Sequence, residues 1–74
     1  MTNPLIIESG LALWGPSWQT PMARETGHNI RTIQGWAAGR HKPRAKVYAE
    51  LLALMAARVS NLGSLMQRLQ EAKP

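Results

Sequence analysis

The sequence predicts an all-α domain of four to five helices that ends in a long C-terminal helical segment. Three observations carry that expectation. Phe is absent and only 5% of the 74 residues are aromatic, and β-branched residues never alternate over the length of a strand. Leu, Ala, Met, Gln and Arg, all good helix formers, dominate the composition. Gly and Pro fall at intervals that cut the chain into helix-length pieces.

The first helix is expected to start at Asn3-Pro4, a cap residue followed by proline at the first helical position, and to stop at Gly15-Pro16. Ile7, Leu11 and Trp14 lie at helical spacing along it, and Gly10 falls inside it. A second, short helix spans about Gln19 to Thr26, with Pro21 in its first turn and Gly27 placed to end it in the left-handed conformation. A third is capped by Asn29 and runs to about Ala38, where Gly39 ends it. After the polar loop Arg40-His41-Lys42-Pro43 comes one helical stretch from about Arg44 to Glu71, with its weak point at Ser60, Asn61 and Gly63. Val47, Leu51 and Leu54 are expected to close the core.

Length and charge bound the function. Seventy-four residues make a single domain (1–74), too small to gain comfortable stability without a staple. With no Cys and only two His, neither a disulfide nor a structural zinc site supplies one, so a partner chain is the expected staple. No apolar run is long enough to span a membrane, and no basic residue precedes Arg24 as a secretory signal would require, so a cytoplasmic protein is expected. The net charge is +5. It is concentrated: Arg31, Arg40, Lys42, Arg44 and Lys46 fall together, with no acid between Glu25 and Glu50. Such clustering points to a polyanion.

Two short helices separated by a glycine turn and followed by a basic loop form a helix-turn-helix pattern over residues 17–39. Met22 and Ala23 are expected to face Ile33, Trp36 and Ala37, while Arg31, Gln34, Gly35 and Ala38 point outward and Ile30 and Thr32 flank them. Trp14, Trp18 and Trp36 are expected in the core. The pattern resembles the Cro/lambda-repressor (XRE) class of regulators, through Gln19, Met22-Ala23, Gly27, Asn29, Thr32-Ile33, Trp36, Gly39 and Pro43. The resemblance covers about residues 17–44 well and the first helix more loosely. It implies that the third helix enters a DNA major groove and that Gln19 binds phosphate at the start of the second.

On that basis the base-contacting set is Ile30, Arg31, Thr32, Gln34 and Gly35, with Arg31 suited to guanine and Gln34 to adenine. Gly35 departs from the larger residue many relatives carry, which removes one base contact. The backbone-contacting set is Gln19, His28, Asn29, Arg40, Lys42 and Arg44. His41 is expected only as part of the basic loop. Catalysis has no support: there is no Asp and no Cys, the four Glu are scattered, and no phosphate-binding glycine loop occurs. No cofactor, metal or small-molecule ligand is expected.

In the C-terminal segment (residues 44–72), Met55, Leu62 and Leu69 repeat every seven residues with Leu65 and Met66 alongside. Arg58 interrupts the companion row Leu51, Leu65, Ala72. Met55, Leu62, Leu65, Met66 and Leu69 are expected to form a two-fold dimer interface, unless the chain folds back after Gly63 and covers its own core. The resulting expectation is sequence-specific binding of double-stranded DNA by a homodimer, as a transcriptional repressor at an inverted-repeat operator. The alternative is a protein-interaction module, such as an antitoxin-like or phage-encoded inhibitor. RNA binding is a weaker third option.

Overall fold

The computed structural model describes residues 2–72, and among them the regular structure is entirely helical: α1 (Pro4–Trp14), α2 (Gln19–Thr26), α3 (Ile30–Ala38) and α4 (Ala45–Glu71). Local chemistry sets the boundaries. Asn3 caps α1, its side-chain oxygen accepting from the Ile6 N–H at 3.3 Å, and Pro4 occupies the first turn. Gly27 and Gly39 end α2 and α3 at φ of 70° and 78°, in the left-handed region that costs glycine little. The connection from α2 to α3 is therefore only three residues long, Gly27 to Asn29.

The core is built from Ile6, Leu13, Trp18, Met22, Ala23, Ile33, Trp36, Val47 and Leu51. Ile6, Met22 and Ile33 are fully buried, and burial of such a side chain contributes about 1.5–3 kcal/mol. The N-terminus is tied in by the Asn3 N–H, which donates to the Ala37 carbonyl at the end of α3 (3.0 Å). At the other end of α1, the Arg58 guanidinium reaches across from α4 and donates to the Leu13 carbonyl at 2.7 Å. Arg58 thus satisfies one of the carbonyls that a helix C-terminus leaves free.

The structure decides two points that the sequence left open. α1 does not bury the row Ile7, Leu11, Trp14: Leu11 is exposed and the other two are half-buried, while Ile6, Ser9, Gly10 and Leu13 face the core. Apolar residues surround α1, so periodicity alone did not choose a face. The choice falls on the side with small residues, because the Trp18 ring occupies the space beside Gly10, where an added Cβ would stand 2.2 Å from Trp18 Cε3. Nor does α4 break or fold back near Ser60 and Gly63. It runs unbroken for 27 residues, and every residue from Ala56 to Ala72 is exposed. Because a continuous helix forms its own backbone hydrogen bonds, nothing local obliges it to bend back at Gly63. The molecule is accordingly a small helical head with a bare projecting arm, 52 × 22 × 20 Å overall.

Candidate nucleic-acid interface

α3 is amphipathic in the manner its sequence implies. Ile33 and Trp36 (2% exposed) anchor one face in the core, and Ile30, Arg31 and Gln34 lie exposed on the other. Arg31 and Gln34 are three positions apart, which makes them neighbours on one helical face. The N-terminus of α3 is held by Asn29, whose Oδ1 accepts from the Thr32 N–H at 2.9 Å and from the Thr32 hydroxyl at 3.1 Å. The cap fixes where the exposed face begins.

The expected base-contacting residues are unevenly exposed. Thr32 is half-buried, and its hydroxyl proton is already given to Asn29. Gly35, expected to point outward, is buried. The His41 ring covers it so closely that a Cβ on Gly35 would lie 2.2 Å from His41 Nε2. Ala38 is half-buried rather than outward. The exposed face of α3 is therefore its N-terminal half, Ile30, Arg31 and Gln34, bounded on the C-terminal side by the His41 ring.

Of the expected backbone-contacting residues, His28, Asn29, Arg40, Lys42 and Arg44 are exposed and Gln19 is half-buried at the first position of α2. That helix starts without a side-chain cap, so its leading N–H groups carry the positive end of the helix dipole unopposed. His28 has a structural contact as well: its ring meets Trp36 edge-on, centroids 4.9 Å apart at 72°. Pro43 is buried and anchors the loop between exposed Lys42 and Arg44. Lys46 is exposed in the first turn of α4. Five cations thus stand at solvent on α3 and the segment that follows it, and the sequence places no carboxylate between Glu25 and Glu50.

The expected dimer residues divide. Leu62, Leu65, Met66 and Leu69 are exposed on the arm by 58, 48, 60 and 71%. Met55 is instead half-buried and packs against the head. Leu52 and Val59, 68 and 71% exposed, belong to the same stripe and were missed by the sequence reading, although Val59 stands four residues after Met55 and three before Leu62. His41 and Arg58 were also missed as structural residues. A glycine in mid-helix was the only signal for the first; nothing in the sequence signalled the Arg58 contact, which joins positions 45 residues apart.

Among the described residues no helix is long and apolar enough to cross a membrane. Comparison with protein-family models, with curated proteins and with solved structures found no match to this chain.

Proposed function

We propose that the protein binds double-stranded DNA sequence-specifically, as a homodimer, and represses transcription by occluding a promoter. The observation that carries this reading is the exposed pair Arg31 and Gln34 on a short helix whose opposite face, Ile33 and Trp36, is locked in the core. A rigid helix with a donor fork and an amide one turn apart suits the major groove, where Arg pairs with guanine O6/N7 and Gln with adenine N6/N7. Ile30 is positioned beside them for a thymine methyl. Arg40, Lys42 and Arg44, together with the uncapped start of α2 at Gln19, supply phosphate contacts that orient the head without reading bases. The Asn29 amide NH2, left over from its capping role, adds a further donor.

One head presents few base-reading side chains, so specificity is expected to require two. A two-fold dimer reads two half-sites of an inverted repeat. Selection from a pool of random duplexes tests the reading: enrichment of an inverted repeat, with protection of both half-sites, is the expected result. A pool that stays random while the protein remains folded and dimeric would overturn sequence-specific binding. Salt-insensitive capture of a protein partner would favour the interaction-module alternative instead.

A further inference from the structure

The chain exposes more surface than its mass warrants. A compact monomer of 8.2 kDa exposes about 4,500 Å², and this one exposes 5579 Å². Its radius of gyration is 14.9 Å, against about 11 Å for a globule of this length. The excess resides in the arm, and the arm is patterned. Leu52, Met55, Val59, Leu62, Met66 and Leu69 follow the alternating three- and four-residue spacing of a coiled-coil seam without interruption. In this frame Arg58 falls beside the seam rather than in it. The five most exposed members and Leu65 offer up to roughly 600 Å² per copy, about three-quarters of the ~800 Å² that a standard interface takes from each partner.

We infer that the occupant of this seam is the same seam of a second copy, running antiparallel. This deepens the dimer of the proposed function and rests on it only for its biological use. Antiparallel pairing sets Leu52 opposite the partner's Leu69, Met55 opposite the partner's Met66 and Val59 opposite the partner's Leu62, so all six positions are matched with none left over. The two flanks of the seam match as well. Small Ala56 lies beside the partner's Gly63, so nothing bulky crowds that flank, and the Arg58 stem lies over the partner's Leu65, covering the apolar residue outside the seam.

Orientation follows from the shape of the head. The upper seam is bordered by α1: one largely apolar groove is lined by Leu5, Ser9, Leu52 and Met55 among others, and the next by Ala12, Leu13, Met55, Val59 and Leu62 with Arg58 on its wall. Antiparallel pairing brings the bare end of the partner's arm to these grooves, and Met66 and Leu69 are the side chains that enter them. A parallel pair would instead bring two heads, each wider than a helix, to the same level of the seam.

The native chain has no cysteine, which makes the test direct. Leu52→Cys and Leu69→Cys are made in separate full-length chains, one carrying a purification tag, both at exposed positions that leave the head core intact. Each is oxidised alone and then as an equal mixture, without DNA. Antiparallel pairing predicts a mixed disulfide as the main product of the mixture and little dimer from either chain alone, since like positions lie about 26 Å apart along the arm. Disulfides between like chains, strongest for Leu69→Cys, would show a parallel pair and overturn the orientation. A monomeric mass for the unsubstituted chain at about 100 µM would overturn the association itself. Arg31→Ala leaves the cross-linking pattern unchanged whatever it does to DNA, so loss of the DNA reading and loss of this one are separable.

Discussion

Three glycines sit inside helices, and the structure assigns a different fate to an added methyl group at each. At Gly10 the methyl meets the body of the Trp18 ring, with Cε3, Cδ2 and Cγ all within 2.7 Å. That ring is 5% exposed and has no free volume to retreat into. Overpacking of this kind costs about 1–3 kcal/mol, while replacing glycine in a helix interior returns about 1 kcal/mol. An overlap of more than 1 Å against a buried ring puts the cost at the upper end, so Gly10→Ala is expected to lose about 1–2 kcal/mol net. At Gly35 the nearest atoms to the methyl are the far end of the exposed His41 ring, which can swing out, and Gly35→Ala is expected to be neutral or stabilising by up to about 1 kcal/mol. At Gly63 nothing lies within 4 Å, and Gly63→Ala receives the full propensity gain of about 1 kcal/mol. For a domain of this size each kcal/mol moves the melting temperature by about 4–8 °C. Thermal unfolding followed by circular dichroism at one fixed protein concentration should therefore rank the variants Gly63→Ala above wild type and Gly10→Ala well below it. A Gly10→Ala protein as stable as Gly63→Ala would refute the placement of Trp18 against α1.

Further outcomes follow from single contacts. Arg31→Ala should cost about 1–3 kcal/mol for the selected site and relax preference at one base pair, measured by fluorescence anisotropy against single-base variants of that site. Lys42→Ala should weaken specific and random duplexes alike and reduce the slope of log K against log salt by about one. Removing the cap with Asn29→Ala should destabilise the fold by about 1 kcal/mol in denaturant titration. Arg58→Ala should cost about 1 kcal/mol as well, because the Leu13 carbonyl loses its charged donor but water can replace it at the half-exposed site; a loss above about 3 kcal/mol would mean the carbonyl is sealed from solvent.

Much of the candidate interface was legible in the sequence because short-range rules govern it. Asn29, Gly27 and Gly39 mark the ends of α2 and α3 through backbone chemistry that acts within four residues. Once Ile33 and Trp36 are inside, the geometry of a helix places Arg31 and Gln34 outside. Gly35 was misjudged because its exposure depends on the His41 ring, and periodicity describes a bare helix.

The sequence by itself determined that the chain is helical, where each helix starts and stops, and that its positive charge gathers on α3 and the loop beyond. All of these are consequences of local conformational preference and of residue order. Only the tertiary structure decided which face of α1 turns inward, because Gly10 matters only once Trp18 lies on it. The same holds for the arm. Whether residues beyond Arg58 cover the head or stand clear of it depends on how much surface three small helices can bury, and they leave the α4 stripe bare.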